Sequence, residues 1–492
     1  MNTDKNPRLS YLSATKPFAP MNKSKNFLWL SFPLFILLIL AFLLPISPND
    51  YWWYLRLGSE IAQTHAIPTV ETFPQTQADQ PMVYHSWLSA LILFWVYQLG
   101  KFPLTILLRG ILLAFTYSLL WKIMRDKGAS PQLTSLISFF GILAGSVNWA
   151  MRPQLFTYPL FVLTIYILIK WDEGNRDARV LGLIPLISIF WTNLHGSFVL
   201  LFLLGGAALI FGRGNKRILF FTLLAALFAT FLNPRGFGVW VYVRDSLTVI
   251  SNQAYSREWM PPTNEGWQMN LFFGWILFYL TVASLMSRSL RPLSVVWMLG
   301  FGWLALSGLR YGIWFLFLLS IYTAEMLNDW LQSRPRRGIP KMDYAIAIFI
   351  LIIPLALLPG IRDAWWADSP STLSTKTPVG ATEWLKSHPD LPAPIWADLA
   401  YSSYLVYAFP ESPVWIDTRF EVYPPEHWER YKAISAGAWN WESLLDEEGI
   451  NLLLLSKNEQ SQLIPAVGFS KNWDEVYSDE KSVIFKRVER RE

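Results

Sequence analysis

The sequence predicts a polytopic α-helical membrane protein that ends in a C-terminal α/β domain, and three observations predict it. Of 492 residues, 53% are hydrophobic and only 16% charged, which is too apolar for an ordinary soluble domain. Apolar runs of span length or a little shorter recur from Phe27 to Leu358. After Gly360 the chain turns polar, with strand-like and helix-like segments of soluble length. The 26 tryptophans suit many helix ends at lipid–water interfaces. The absence of cysteine excludes disulfides, zinc–thiolate sites and a cysteine nucleophile. The net charge of +5 gives no sign of a nucleic-acid partner.

Met1–Asn26 carries five basic residues and one acid and reads as a cytoplasmic tail. Phe27–Pro45 follows without a small-residue cleavage site, so it is a retained first helix. Further spans are expected at Ser86–Gln98, Leu104–Trp121, Leu133–Ala150, Leu155–Trp171, Val180–Thr192, Phe198–Phe211, Ile218–Leu232, Leu271–Met286, Leu293–Ser307, Tyr311–Met326 and Tyr344–Leu358. Together residues 27–360 form the transmembrane domain. The cluster Arg334-Pro335-Arg336-Arg337 with Lys341 belongs in the cytoplasm, as do Arg213, Lys216, Arg217, Arg288 and Arg291. That assignment puts loops 46–85 and 233–269 and the 361–492 domain outside. From Ser371 to Glu492 there are 12 basic and 19 acidic residues, net −7, in keeping with export. Counting from the two ends disagrees by one crossing within Ser86–Ala150. Either Ser86–Gln98 does not fully cross, which Lys122, Arg125 and Lys127 favour, or Leu133–Ala150 is a hairpin of two short helices. An odd total of about 11 to 13 spans is required.

In the tail, Ala381–Ser387, Tyr401–Phe409, His427–Ile434 and Glu442–Glu448 read as helices. Pro394–Asp398, Val414–Asp417 and Leu452–Leu455 read as strands, and Val476–Tyr477 with Val483–Val488 as a closing hairpin. Such alternation predicts a layered α/β fold.

The candidate functional residues all fall on the predicted outer side. Asp50 follows the first span beside Tyr51, Trp52, Trp53, Tyr54 and Arg56. It is either a general base or cation ligand, or an N-terminal cap on an amphipathic helix Tyr51–Gln63. His85 stands beside Trp87 at a span start, and positions a phosphate or acceptor or lies in the interface belt. Arg152-Pro153 also opens a span, where arginine binds a lipid phosphate or reaches to headgroups. Asn193-Leu194-His195-Gly196 interrupts two apolar runs, and polar groups beside hydrocarbon tilt toward function. Asn233-Pro234-Arg235-Gly236 is a turn signal. Arg257-Glu258-Trp259-Met260-Pro261-Pro262 reads as charge-paired and rigid, a substrate lid or a plain loop. Arg310, His65 and Glu71 complete the set. Asp417 and Arg419, two apart on one strand face, read as a structural ion pair.

The order of these features resembles the GT-C superfamily of polytopic glycosyltransferases, which includes protein O-mannosyltransferases and the aminoarabinose transferases of lipid A. The shared pattern is a first helix, an acid, an amphipathic helix, the extended stretch Ala66-Ile67-Pro68-Thr69, and the span start His85-Ser86-Trp87-Leu88. The chain looks closer still to bacterial members with arginine-proline, asparagine-x-histidine-glycine and asparagine-proline-x-glycine turns, here at Arg152, Asn193 and Asn233. The resemblance implies a polyprenyl-phosphate-linked sugar donor, an external active site in the bacterial plasma (inner) membrane, and Asp50 as the catalytic residue. It implies substrate contacts from Arg56, His85, Arg152, Asn193, His195, Arg235, Glu258 and Arg310. The expected partners are the sugar-carrying lipid, membrane lipids, and a glycan, lipid or protein acceptor. Many members pair two acids after the first helix. Asn49 replaces the first here, which leaves open whether a divalent cation, magnesium or manganese, takes part. Two rival readings are a non-catalytic membrane component of cell-envelope polysaccharide assembly, and a transporter of lipid-linked sugars. The transporter reading predicts internal repeats and mid-span charges, and Arg109 is the main mid-span charge found.

Overall fold

The computed structural model describes residues 23–46, 50–174, 178–285, 291–332, isolated positions between 342 and 356, and 373–488 except 375. Most of the basic tail, Asn49, Arg288, the Arg334–Arg337 cluster with Lys341, and most of the expected span Tyr344–Leu358 lie outside the described residues. The architecture is a polytopic helical bundle with an α/β domain seated on one face.

The bundle comprises α1 (Lys23–Leu43), α3 (Trp87–Asp126), α4 (Pro131–Gly145), α5 (Gln154–Asp172), α6 (Leu183–Leu194), α7 (Val199–Phe211), α8 (Lys216–Thr230), α11 (Gly266–Leu285), α12 (Pro292–Ser307) and α13 (Gly312–Gln332). Between them lie α2 (Asp50–Thr64), α9 (Gly238–Thr248) and α10 (Ile250–Tyr255). Among the described residues α1, α3, α5 and α11 are long and apolar enough to cross a membrane on length and composition alone, and segments around α6, α7 and α12 are shorter apolar helices. Prolines and caps start the helices where an N–H would go unpaired. Pro131 and Pro292 stand in the first turns of α4 and α12, and the Ser130 and Asn215 side chains cap α4 and α8. Aromatic rings fill the centre: Phe161 lies 4.8 Å from Trp314 and 5.4 Å from Phe301.

The disputed stretch resolves at Gly100–Lys101. Both residues leave helical geometry, and Lys101 takes φ +50°. The segment before the break packs along α2. A Cβ on Gly58 of α2 would strike the Ala90 carbonyl, so the missing side chain permits the close approach. Tyr97, near the end of that segment, meets Tyr407 of the tail with ring centres 5.9 Å apart. Both ends of Trp87–Leu99 therefore stay on the tail side. The helix direction changes at the break, before the apolar run that ends at Lys122–Lys127, and α4 is one helix and not a hairpin. Arg109 is buried within the crossing and donates to the Ala41 and Leu44 carbonyls at the end of α1. These are orphan acceptors of a helix terminus, so the mid-span charge is structural.

A belt of ion pairs closes the opposite face. Lys122 and Lys170 meet Asp126, Lys127 meets Glu173 and Glu325, and Arg291 meets Asp172. Asp126, Asp172 and Glu173 stand at the ends of α3 and α5 and Arg291 precedes α12, whereas Arg152 stands at the opposite end of α5.

The tail contains β1 (Ile395–Ala397), β2 (Leu452–Ser456), β3 (Trp473–Ser478) and β4 (Ser482–Arg487) in the order β1-β2-β4-β3. β1 and β2 are parallel and the other pairs antiparallel. Around them lie α14 (Val379–Lys386), α15 (Leu399–Ala408), α16 (Pro425–Ser435), α17 (Trp441–Glu447) and α18 (Leu463–Phe469). The expected strand Val414–Asp417 is reduced to a bridge from Val414 to Ile395. Val414 also bridges Pro74 of the first loop, and Gln75 donates its N–H to the Val414 carbonyl. The 46–85 loop thus meets the tail at the β1 side of the sheet. Trp52 of α2 packs edge-on to Tyr404 of α15 at 4.7 Å. A buried cluster completes the joint. Arg419 donates to Glu71 at 2.7 Å and to Asp417 at 2.6 Å, and Tyr84 donates to Glu71 at 3.2 Å. The expected Asp417–Arg419 pair is present, with Glu71 as a third member.

Candidate active site

Between the bundle and the tail lies a cavity of about 620 Å³. Its walls include Asp50, His85, Arg152, His195, Glu258 and Arg310, which arrive from six different places along the chain. Asp50 opens α2, Arg152 precedes α5, His195 turns α6 into α7, Glu258 follows α10, and Arg310 joins α12 to α13. Arg56, Asn193 and Arg235 do not line it. Arg56 is half-buried on α2. Asn193 accepts from Trp87 Nε1 at 2.7 Å and donates to the Ile189 carbonyl. Arg235 donates to the Ile67 and Pro68 carbonyls. Both make their hydrogen bonds to scaffold partners. Asn233 does likewise, donating to the His85 and Thr192 carbonyls and accepting from Arg235 N–H. Gly236 closes that turn at φ +51°, a conformation suited to glycine.

Asp50 Oδ2 lies 3.5 Å from Arg152, and Oδ1 accepts a long hydrogen bond of 3.4 Å from Thr418. Burial pushes the Asp50 carboxyl up to about 6; Arg152 opposes this, and Glu258 and Glu421 add to it. The residue is therefore not a simply solvated helix cap. Arg152 donates to both oxygens of Glu258, at 2.7 and 2.8 Å. Burial works against the Arg152 charge, but Glu258 and Asp50 outweigh it and raise its pKa. Burial likewise disfavours the Glu258 anion, yet Arg152 and Arg310 hold its pKa below the usual range. The pairing of Arg257 with Glu258 expected from their adjacency does not form. Glu258 turns inward to Arg152, whereas Arg257 turns outward to Glu265 at 2.5 Å.

Arg310 stands apart from these pairs. Its guanidinium lies 4.3 Å over the Trp259 ring, and its backbone N–H donates to the Glu258 carbonyl. Beside it, burial lowers His85 to about 3 and drives His195 well below its usual value, so both are neutral at physiological pH. His195 Nδ1 accepts the Ser197 backbone N–H at 3.0 Å, which leaves its proton on Nε2. His85 stacks on Tyr242 at 3.9 Å. A slot of about 90 Å³ adjoins the cavity here. It is lined by His85, His195 and Arg310 and by the apolar Leu200, Val243 and Leu247, and Leu247 is 46% exposed.

The tail supplies Thr418, Glu421 and a polar arm of the cavity containing Asp398, Tyr431 and Gln460. Sequence reasoning missed these residues. The sole pointer was the strand–Asp–x–Arg pattern, in which Thr418 is the unassigned middle residue. A metal is poorly served: among the described residues no three His, Asp or Glu side chains converge as a metal-holding group. The Arg152 guanidinium occupies the place between Asp50 and Glu258 where a shared cation would stand.

No protein-family model and no curated protein sequence matches the chain. Among solved structures, 95% of this chain aligns with 75% of the archaeal oligosaccharyltransferase AglB from Archaeoglobus fulgidus, bound to an inhibitory peptide and a dolichol-phosphate, at TM-score 0.55 and 10% identity. Over 93% of its length it aligns with 41% of the mycobacterial arabinofuranosyltransferase AftD, at TM-score 0.55 and 14% identity. The fold is GT-C. At such identities the likeness is one of fold. An Archaeoglobus fulgidus oligosaccharyltransferase in complex with zinc and sulfate aligns at TM-score 0.50 and 10% identity. The GT-C bundle and the seated tail together enclose the cavity, so the site lies at the junction of the fold's two parts.

Proposed function

We propose that this protein is an inverting membrane glycosyltransferase, taking its sugar from a polyprenyl-phosphate-linked donor and working on the outer side of the bacterial plasma membrane. The observation that carries this reading is one cavity that holds both the Asp50 carboxyl, poised near 6, and the Arg310 guanidinium, which has no ion pair among the described residues, beside an apolar slot. The solved GT-C structures include one bound to dolichol-phosphate and one named as an arabinofuranosyltransferase. The outward placement is supported by the belt of Lys122, Lys127, Lys170 and Arg291 on the opposite face, since basic residues favour the cytoplasm.

In the reaction, the acceptor oxygen forms a bond to the anomeric carbon as its proton passes to the Asp50 carboxylate. The anomeric carbon–oxygen bond to phosphate breaks on the opposite side, and the lipid phosphate leaves with both electrons. Arg310 meets the developing negative charge. Arg152, held by Glu258, orients Asp50 and keeps it partly ionised. The neutral His195 offers a hydrogen bond from Nε2 without adding charge, and His85, bonded through Nε2 to the Ser86 hydroxyl, walls the pocket beside it. The polyprenyl chain runs out past Leu200, Val243 and Leu247.

Sugar transfer from a mixture of polyprenyl-phosphate sugars to envelope acceptors, measured in membranes, tests the reading. Asp50→Asn is expected to lose about 10²- to 10⁴-fold in rate at equal expression. Equal activity in variant and wild type removes Asp50 from the chemistry. Transfer by neither favours a non-catalytic assembly component.

A further inference from the structure

The cavity does not end at the bundle. It continues into an arm along the carboxyl ends of the parallel strands β1 and β2, the edge at which open α/β sheets take ligands. The floor of this arm is built from polar side chains that are more than nine-tenths buried. Asp398, Tyr431, Ser456 and Gln460 have relative exposures of 5%, 7%, 5% and 1%.

These groups are oriented by one another. Asp398 Oδ1 accepts the Ala400 and Tyr401 N–H groups, and Oδ2 accepts from Gln460 Nε2 at 3.0 Å. Gln460 Oε1 accepts the Ser456 N–H at 2.8 Å. The Tyr431 hydroxyl accepts from Leu399 N–H and from Gln460 and shares the network with the Ser435 hydroxyl. A carboxylate carries about four acceptor sites, so Asp398 keeps one in reserve. At the rim Lys376 pairs with Glu459 at 2.6 Å, and Lys481 also lines the arm. The arm's two acids, Asp398 and Glu459, balance its two lysines, so the arm does not select for charge.

A surface of fixed, alternating donors and acceptors matches a ligand whose own groups are each both donor and acceptor. Ring hydroxyls have that property; a hydrocarbon tail does not. A peptide docking by strand addition needs a free sheet edge. The edge on the β1 side is taken by the bridge from Val414 to Pro74 and the N–H of Gln75. We propose that the arm is a binding site for the terminal sugar of a neutral glycan, with Asp398, Tyr431 and Gln460 reading its hydroxyls. As the acceptor subsite of a transferase this rests on the proposed function; as a glycan site it stands without it.

The test uses the full-length protein in nanodiscs, with maltotriose, mannotriose and chitotriose as probes and a neutral hexapeptide as control. Binding is read by saturation-transfer NMR. At least one trisaccharide is expected to bind and the peptide not to. Ser435→Trp, which fills the arm beside Gln460, is expected to weaken binding at least tenfold. Tyr431→Phe, which removes one hydroxyl and keeps the packing, is expected to weaken it about threefold and guards against misfolding of the tryptophan variant. Binding of none of the three sugars, binding of the peptide instead, or unchanged affinity in Tyr431→Phe and in a folded Ser435→Trp overturns the proposal. Sugar binding that depends on the arm, together with no transfer by wild type, overturns the transferase reading alone.

Discussion

Replacing Arg419 with methionine should loosen the joint between the tail and the first loop far more than any exposed ion-pair change. Arg419 is 2% exposed in its side chain, Glu71 1% and Asp417 0%. It makes charge-assisted bonds to both carboxylates and sits 4.8 Å over Phe73 and 5.4 Å over Trp53. Methionine keeps much of the volume but leaves two buried carboxylates facing one another without a cation. Breaking a buried pair in this way costs about 3–5 kcal/mol. At 1.4 kcal/mol per decade, local opening should rise from about 10²-fold to a few thousand-fold. Hydrogen exchange at the Glu71, Asp79 and Met82 amides, which bond within the first loop, measures it directly. The triple variant Glu71→Gln, Asp417→Asn, Arg419→Met carries no stranded charge, and its exchange should return most of the way to wild type. A rise under threefold in the single variant, or no recovery in the triple, would refute the reasoning.

The remaining predictions concern Asp50. As a base it works ionised, so transfer should fall tenfold per pH unit below about 6 and level off above 7; an acidic limb near 4 would contradict the raised carboxyl. Because folding raises this pKa, its stabilising contribution is full below 3.8 and is lost as pH rises through about 6. Asp50→Asn should therefore be more thermostable than wild type by about 1–3 kcal/mol at pH 8, the lower end reflecting water in the cavity, by about half as much at pH 5, and nearly equal below 3.8, as read by thermal unfolding across that range. Thr418→Val removes a donor to the ionised carboxylate. It should move the acidic limb of the pH–rate profile up by about 0.5 and slow transfer several-fold, whereas a merely structural role would leave the limb in place.

Local features of the chain already carried much of this. The apolar runs, the caps at Ser130 and Asn215 and the prolines of α4 and α12 act within one or two turns, so the helices were legible in order. The ambiguity at Ser86–Gln98 was not, because whether a thirteen-residue apolar helix crosses or lies flat depends on what covers it. Here α2 and the tail cover it, and Gly58 admits the contact. The polar residues at helix ends were visible as a set, but not their division of labour. Asn193 and Arg235 resemble His195 and Arg152 in composition and position, yet the former two spend their hydrogen bonds on the scaffold and the latter face the cavity. Arg257 and Glu258 are adjacent in sequence, and only packing turns one outward and the other to Arg152.

The sequence by itself determined the class: a membrane bundle with an α/β tail and an acid after the first helix, because periodicity, capping and hydropathy are local properties. Tertiary structure alone decided the site. Thr418, Glu421, Asp398 and Gln460 lie more than three hundred residues after Asp50, and they line the same cavity because the first loop meets the tail's sheet and Glu71 binds Arg419. Burial in that joint shifts the Asp50 carboxyl, and burial is a property of the packed molecule rather than of any segment.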